Sequence, residues 1–309
     1  MNIPKTIHFI AIGGPVMHDL AILLKRRGSV VTGSDIKVEG VSKSKLRDNN
    51  LLPTALGWFP DKIHGGLQTI VIGPEVTRDN PELQRAMELT LKVYSYPEFI
   101  YSMSSDKHRI VITGSFGKTM ITLLILHVLN YHERSFDYVV GEVVHGLDHP
   151  VRLSEASLII IEGQDFMAST IDPTPAFLKY QHHIGVISGI EWQQSMAYPT
   201  KEEYTRQFSI FEATTPKGGA LIYFELEPVI AALSKVKHAD VLYIPYKTHP
   251  SQNEDGQEFL IASSKEKFPL KISGKLNLQN ISAAKETLKK IGITSEMFYQ
   301  AIPSFGNSN

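Results

Sequence analysis

Short apolar runs alternate with amphipathic segments along the first hundred residues of the chain. Residues 6–12 form a strand-like run, and residues 15–27 form an amphipathic segment that stops before Gly28. The pattern continues up to a helix that begins at Pro97. The other strands that it predicts are residues 30–33, 69–72 and 92–96, and the other helices are residues 42–49 and 80–89. Strands that alternate with helices predict a parallel sheet covered on both faces.

The alternation resumes after the polar segment 104–108, which predicts a boundary between one domain at residues 1–105 and another at residues 106–309. An apolar strand at 109–113 and an apolar helix at 121–129 open the second domain. The later predicted strands are 157–162, 184–188, 219–224 and 241–245, the later helices are 200–213, 227–235, 277–291 and 295–302, and residues 256–273 are hairpin-like. We therefore predict an α/β protein: a Rossmann-like N-terminal domain followed by a P-loop-type α/β domain with a mainly parallel sheet.

The amino-acid composition of the chain excludes several classes of function. The 309 residues carry 31 Lys and Arg against 32 Asp and Glu, so a formal net charge of −1 gives no field that attracts nucleic acid. The chain has no cysteine, which excludes disulfides, thiolate metal sites and a cysteine nucleophile. No apolar run approaches the ~20 residues that a membrane-spanning helix needs, and the N-terminus lacks a signal-peptide pattern. We expect a cytoplasmic protein without a nucleic-acid or membrane partner.

The segment 114–119, Gly-Ser-Phe-Gly-Lys-Thr, stands between a β-branched strand and an apolar helix. Glycines let backbone N–H groups approach a polyphosphate, and the helix N-terminus adds partial positive charge. In such a loop Lys118 reaches the outer phosphates and the hydroxyl of Thr119 can bind Mg²⁺. The longer spacing G-x4-G-K is not met, because Ile112 stands where its first glycine belongs. The segment predicts a site for ATP or GTP.

Two other positions have chemistry that fits a phosphate site. Glu162 ends an apolar strand, and an acid at that place beside a phosphate loop is a natural Mg²⁺ ligand. A solvated acid at the end of a sheet is the alternative. Asn277 and Asn280 lie one turn apart near a helix start, where a cap and a surface amide are the plain interpretation.

The first strand also leads into a glycine turn. Gly13 and Gly14 precede a helix and permit close approach of a phosphate, although an ordinary tight turn has the same spacing. Asp35 follows the second strand, where such folds place a ribose-binding carboxylate. A capping aspartate at that position is equally common.

These motifs, in their order along the chain, resemble those of the Mur ligases of peptidoglycan metabolism. The resemblance rests on Gly13-Gly14 with Met17, on Thr32-Gly33-Ser34-Asp35, on the loop 114–119, on Glu162 and on Gly274-x-x-Asn277-x-x-Asn280. It is strongest to the branch that joins UDP-N-acetylmuramate to L-alanine or to a recycled tripeptide. The segments 71–73 and 77–81 favour the tripeptide.

The resemblance implies a fold, ligands and roles for particular residues. The first domain is expected to hold the uridine diphosphate end of a UDP-N-acetylmuramate-type substrate, near Gly13, Gly14 and Asp35. The second is expected to bind ATP and Mg²⁺, with Lys118 and Glu162 as catalytic residues and Thr119 and Glu162 as metal ligands. The implied nucleotide-binding residues are Gly114, Ser115, Gly117, Lys118, Thr119, Asn277 and Asn280. The family reaction phosphorylates a carboxylate, and an amine then attacks the acyl phosphate to form an amide.

The sequence also departs from the family pattern at several motif positions. A family glycine of the first turn is Ala11 here, and polar residues of the family are replaced in the second domain. The replacements are Phe116 and Met120 in the loop, Gln164 in the run after Glu162, Gln193-Gln194 in an Asp-His metal region, and Leu276 before Asn277. A neutral amide does not supply the charge of a carboxylate near a metal.

Two hypotheses therefore stand side by side. One is an ATP-dependent ligase of peptidoglycan biosynthesis or recycling, lacking the C-terminal domain that the family carries after this point. The other is a catalytically degenerate relative that binds a nucleotide, a UDP-sugar or a protein. The sequence leaves the oligomeric state open.

Overall fold

Parallel strands alternate with helices in the computed structural model, which describes residues 3–141, 147, 149–233 and 238–306. The chain divides into two units, and each contains segments that are distant in sequence. Unit 1 comprises Met1–Lys107, Tyr138–Glu155 and Phe166–Tyr180, and unit 2 comprises His108–Asp137, Ala156–Asp165 and Gln181–Asn309. The predicted α/β class is confirmed, with mainly parallel sheets.

Unit 1 contains a four-stranded parallel sheet in the order β2-β1-β3-β4. Its strands are β1 (Thr6–Ile10), β2 (Val30–Ser34), β3 (Thr69–Ile72) and β4 (Val93–Ser95), and its helices are α1 (Pro15–Arg26), α2 (Gly40–Asp48), α3 (Pro81–Glu88) and α4 (Tyr96–Met103). Each corresponds to a predicted element. The central strand β1 pairs with both β2 and β3, so Phe9 and Ile10 are fully buried. Burial on both faces is what the apolar run at residues 6–12 predicts.

Most remaining strands belong to a second parallel sheet or to small antiparallel pieces. They are β5 (His108–Thr113), β6 (Asp137–Val139), β7 (Val151–Arg152), β8 (Leu158–Glu162), β9 (Met167–Ser169), β10 (Asp172–Pro175), β11 (Ile184–Ile187), β12 (Ala220–Phe224), β13 (Leu242–Tyr246), β14 (Ser251–Glu254), β15 (Gln257–Ile261) and β16 (Lys267–Leu270). In unit 2 the order β13-β12-β11-β5-β8 is parallel throughout. β14, β15 and β16 form an antiparallel sheet, of which β15 and β16 lie in the predicted hairpin-like patch and β14 lies before it.

The helices of the second half correspond to predicted helices, except for α6. They are α5 (Lys118–Tyr131), α6 (Ala176–Lys179), α7 (Lys201–Ala213), α8 (Pro228–Leu233), α9 (Lys275–Lys289) and α10 (Ser295–Ala301). The predicted end of α8 at Lys235 lies outside the described residues. None of the helices in the described part of the chain is long and apolar enough to cross a bilayer.

The elements that the sequence pattern misses are all short. β6, β7, β9, β10 and α6 each contain four residues or fewer. A periodic pattern needs a longer window before strand and helix differ, so such elements form only where their partners are already in place. The pairs β6/β7 and β9/β10 are antiparallel.

Candidate functional site

The loop between β5 and α5 is closely packed on two sides. Gly114 has φ +132° and Gly117 has φ +78°, values that favour glycine. A Cβ on Gly114 would lie 2.3 Å from Oγ of Ser188, and one on Gly117 would lie 2.3 Å from Oδ1 of Asn280. Glycine is therefore required at both positions, by backbone conformation and by the neighbouring side chains.

Lys118, the first residue of α5, turns back over the loop. Its Nζ donates a hydrogen bond to the carbonyl oxygen of Gly114 at 2.6 Å. The same atom lies 4.0 Å from Oδ1 of Asp165, and most of the lysine side chain is buried. The ammonium group is thus held at the loop, where it can contact a phosphate, and Asp165 is its nearest counter-charge among the described residues.

Thr119 and Glu162 come together beside this loop. Glu162 ends β8, which pairs with β5 so that Ile112 and Glu162 are partners in the register. The Thr119 hydroxyl donates to Oε1 of the buried Glu162 at 2.7 Å. The amide nitrogen of Gln164 donates to the same oxygen at 3.0 Å.

The donor set of this pair suits a hard cation such as Mg²⁺. A hydroxyl and a carboxylate are oxygen ligands, and Mg²⁺ takes one or two carboxylates together with substrate phosphates and waters. A group of three or more metal-binding side chains does not occur within the described ranges. The residues therefore fit a metal that is bound jointly with phosphate rather than one enclosed by protein ligands.

A hydrogen-bonded chain that the sequence does not indicate reaches the loop at Ser115. The hydroxyls of Ser115 and Tyr204 are 2.8 Å apart, and Tyr204 donates to Oδ2 of Asp165 at 2.9 Å. The backbone N–H of Glu191 donates to Oγ of Ser115 at 2.7 Å. Burial raises the pKa of Tyr204, and Asp165 adds to that effect, so the phenol stays a donor. Tyr204 belongs to no motif, so only the fold reveals its place.

The two asparagines of α9 have different environments. Asn280 is buried against Gly117. Asn277 is half-buried, and its Nδ2 donates to the carbonyl oxygen of Ser273 at 2.8 Å, just before its own helix. The structure therefore brings Asn280 to the phosphate loop and leaves Asn277 one turn nearer the start of α9.

Four of the positions that depart from the family pattern fall into two groups. Phe116 packs its ring against Gly189, where a Cβ would lie 2.3 Å from Cζ of the ring. Gln193, Gln194 and Leu276 are exposed. The loop replacement is thus part of the packing, whereas the other three side chains face solvent.

In unit 1, Asp35 holds the first glycine turn. Its two carboxylate oxygens accept the backbone N–H groups of Gly13 at 2.8 Å and Lys37 at 3.0 Å. Gly14 is the N-cap of α1, and none of the side chains that the structure describes caps this helix. Pro15 has no N–H, so the N–H groups of Val16 and Met17 are the ones available to an anion. Ala11, in place of a family glycine, has φ +69°. The structure brings the three predicted residues of this turn together.

Comparison with known proteins shows which family the chain resembles. Residues 6–108 match the sequence profile of the Mur ligase family, catalytic domain. The UDP-N-acetylmuramate–L-alanine ligase of Caldicellulosiruptor bescii is 27% identical over 313 residues, which cover 96% of this chain and 66% of that protein. The ligase of the same name from Carboxydothermus hydrogenoformans is 27% identical over 317 residues, 98% of this chain and 65% of that protein. The chain thus spans just under two thirds of the length of these relatives.

Solved structures share the fold. The UDP-N-acetylmuramate:L-alanyl-gamma-D-glutamyl-meso-diaminopimelate ligase of Neisseria meningitides aligns with a TM-score of 0.86 at 20% identity, over 99% of both chains. MurC of Thermotoga maritima aligns with a TM-score of 0.73 at 19% identity, over 97% of this chain and 68% of that one. The molecule is therefore an α/β protein with Rossmann-like and P-loop-type parts. Within that class it carries a Mur ligase family domain, and the resemblance indicated by its motifs is confirmed.

Proposed function

We propose that this protein is an ATP-dependent ligase that forms an amide bond between UDP-N-acetylmuramate and an amino acid or peptide. Relatives whose names specify that kind of reaction support the proposal. The observation that carries it is the pairing of Thr119 with Glu162 beside a loop bounded by two required glycines. The proposal includes the cytoplasmic location expected from the sequence.

The residues around the loop have separate tasks in this proposal. Lys118 neutralises phosphate charge, and the first N–H groups of α5 point at phosphate oxygens. Thr119 and Glu162 hold Mg²⁺, and Asn280 with Asn277 stands on the adenine side. When bound, ATP and Mg²⁺ supply the phosphoryl group that activates a carboxylate and the charge that eases its transfer. Positioning and charge compensation are therefore the protein's main contribution.

The first unit has the task of binding the sugar nucleotide in this proposal. The uncapped start of α1 after Gly14 suits a diphosphate, since helix N-termini bind anions. Asp35 keeps the turn in shape through Gly13. We assign the sugar-nucleotide role to a domain at residues 1–105 and the ATP role to a domain at residues 106–309.

Calorimetry of ATP binding tests the proposal. We expect binding that requires Mg²⁺, that Lys118→Ala lowers at least tenfold, and that loses its Mg²⁺ dependence in Glu162→Gln because the amide has no charge for the cation. Lys217→Ala is the matched control, since Lys217 is exposed and pairs only with Asp240 at 3.3 Å among the described residues. Release of phosphate with UDP-N-acetylmuramate and either L-alanine or the tripeptide then tests the reaction.

A binding module without catalysis is the second candidate, and Gln164 favours it. Its amide N–H donates to the Glu162 oxygen that a metal would take, where a carboxylate would instead add a ligand. ATP binding of equal strength with and without Mg²⁺, together with no phosphate release, would contradict the ligase and support this module.

A further inference from the structure

A cavity of about 350 Å³ lies in unit 2, and its lining includes none of the candidate site residues that the sequence indicates. The segment after β13, the loop after β15, and the helices α9 and α10 line it. Its size falls within the range of about 300–1,000 Å³ that is usual for small-molecule sites. None of its lining residues belongs to the phosphate loop.

The cavity and the phosphate loop lie on different faces of α9. Asn280 faces Gly117, whereas Ser282, Lys285 and Glu286 line the cavity. At 3.6 residues per turn, these three positions lie roughly 140° to 240° around the helix from Asn280. A ligand in the cavity is therefore separated from the loop by the body of the helix.

A lysine is held at the wall of the cavity by neutral partners. Nζ of Lys285 donates to the hydroxyl of Tyr299 at 2.8 Å and lies 4.7 Å from the centre of the Tyr299 ring. The Nδ1 atom of His249 is 2.8 Å from the carbonyl oxygen of Pro250 and so carries the proton. Its Nε2 therefore accepts the Tyr299 hydroxyl at 2.9 Å.

The positive charge of Lys285 has no carboxylate partner within the described ranges. The adjacent Glu286 pairs with Lys289 instead, with Nζ–O distances of 2.9 and 3.1 Å. Burial lowers the pKa of His249, and Lys285 lowers it further against the opposing effect of the Pro250 carbonyl, so the imidazole stays neutral. The wall therefore carries a positive charge that a bound anion would balance.

Next to this charge lies a hydroxyl that lacks a partner. Ser282 is 9% exposed, lines the cavity, and makes no hydrogen bond through its hydroxyl to any residue that the structure describes. Tyr246 and Ile261 give the cavity an apolar wall. The Lys285 ammonium group and the Ser282 hydroxyl suit an anionic group of a ligand. The apolar surface beside them suits an apolar body attached to that group.

We propose that this cavity binds a small organic anion whose carboxylate or phosphate group contacts Lys285 and Ser282 and whose apolar body lies against Tyr246 and Ile261. The site is independent of ATP and of the proposed ligase reaction. Its ligand is a metabolite with one anionic group, because Lys285 is the lining cation without a carboxylate partner among the described residues, whereas Lys247 pairs with Glu225 at 3.6 Å.

Calorimetric titration with benzoate and with phenyl phosphate tests the site on the full chain. We expect at least one probe to bind, and Lys285→Met to weaken that binding at least tenfold. Lys285→Arg, which keeps the charge, retains binding within a fewfold. Lys290→Met is the matched control, because Lys290 is exposed at the end of the same helix, and it leaves binding unchanged.

A further variant separates this site from the phosphate loop. Lys118→Ala weakens ATP binding and leaves probe binding intact, so failure of the ligase proposal does not affect this test. Binding of benzoate alone assigns a carboxylate, and binding of phenyl phosphate alone assigns a phosphate ester. Absence of both at millimolar concentration, equal binding by folded Lys285→Met, or loss of binding in Lys118→Ala would overturn the proposal.

Discussion

Single glycines fix the shape of the phosphate loop. Gly117 combines a positive φ with a neighbour so close that a methyl group could not fit without moving Asn280. Asn280 is buried and comes from α9, so the loop conformation and the helix position depend on each other. Glycine at position 117 is therefore needed for packing against Asn280 as well as for the chemistry proposed for the loop.

Alanine substitutions at Gly117 and at Gly218 together separate the cost of backbone strain from the cost of a steric clash. Gly218 has nearly the same φ, +77° against +78°, but a Cβ there would meet nothing within 4 Å. We expect Gly218→Ala to cost only the left-handed strain of about 1–2 kcal/mol and to leave ATP affinity unchanged. Gly117→Ala should cost more and lower ATP affinity at least tenfold. Urea unfolding and calorimetry measure both, and equal effects of the two variants would contradict this account.

At the scale of elements, α3 is tied to the sheet of unit 1 by a buried carboxylate. One Glu82 oxygen lies 3.4 Å from Nε2 of His8 in β1, and the other accepts the backbone N–H of Phe59 at 2.6 Å. Burial acts to raise the pKa of Glu82, but hydrogen bonds from His8, Ser34 and Phe59 outweigh it and hold that pKa below its ordinary value. The carboxylate is therefore charged in the folded state.

The lowered pKa of Glu82 makes the stability of the folded protein sensitive to acid. Since the folded state holds Glu82 ionised, its stabilisation is present at neutral pH and is lost as the pH falls below the ordinary carboxyl pKa of about 4.3. We expect Glu82→Gln to lower the free energy of unfolding by about 1–3 kcal/mol at pH 7 and to weaken its dependence on pH below 5.

The matched control for this pair is Glu88→Gln on the same helix. Glu88 pairs with Arg85 at 2.9 Å on the surface, where such a pair contributes at most about 1 kcal/mol. Denaturant titrations between pH 3 and 7 measure both variants. A Glu82→Gln protein as stable as Glu88→Gln would show that the buried carboxylate is dispensable.

At the scale of the whole molecule, unit 2 contains several histidines whose environments oppose protonation. His182 is buried, and its ring centre lies 3.9 Å from that of Phe211, with the two rings tilted by 31°. Its Nε2 lies 2.9 Å from Oγ1 of Thr215. Burial lowers the pKa of His182 to about 3, and His183 and Arg109 add to the effect. The pKa values of His108, His183 and His249 are lowered as well, chiefly by burial.

From the lowered pKa values of these histidines we predict that the protein loses stability in mild acid. Below pH 6.5 these histidines are protonated in the unfolded chain but stay neutral in the folded one. The free energy of unfolding therefore falls as the pH drops. For His182 alone the slope approaches about 1.4 kcal/mol per pH unit between pH 6 and 4. Urea unfolding of His182→Gln should show a shallower fall, while His64→Gln, an exposed histidine in unit 1, should match the wild type. Equal slopes in all three proteins would refute the assignment.

Much of the fold could be predicted from the sequence because the long elements carry their own patterns. The strand β3 has the predicted bounds, and α7 begins one residue after the predicted start, behind the cap Thr200. These patterns arise between residues that are close in the chain, where periodicity and capping act. The phosphate loop has the same property, since its glycines, Lys118 and Thr119 all lie within the six residues 114–119.

The sequence by itself determined the α/β class, the glycine-bounded loop 114–119 and the family resemblance, all through local order. Only the tertiary structure decided that segments 138–155 and 166–180 belong to unit 1, and that Asn280 meets Gly117. It also decided that Tyr204 and Asp165 close a hydrogen-bonded chain at Ser115, and that Lys285 and Ser282 line a cavity. These partners are far apart in the chain, and only packing of the core, which has no local signature, brings them together.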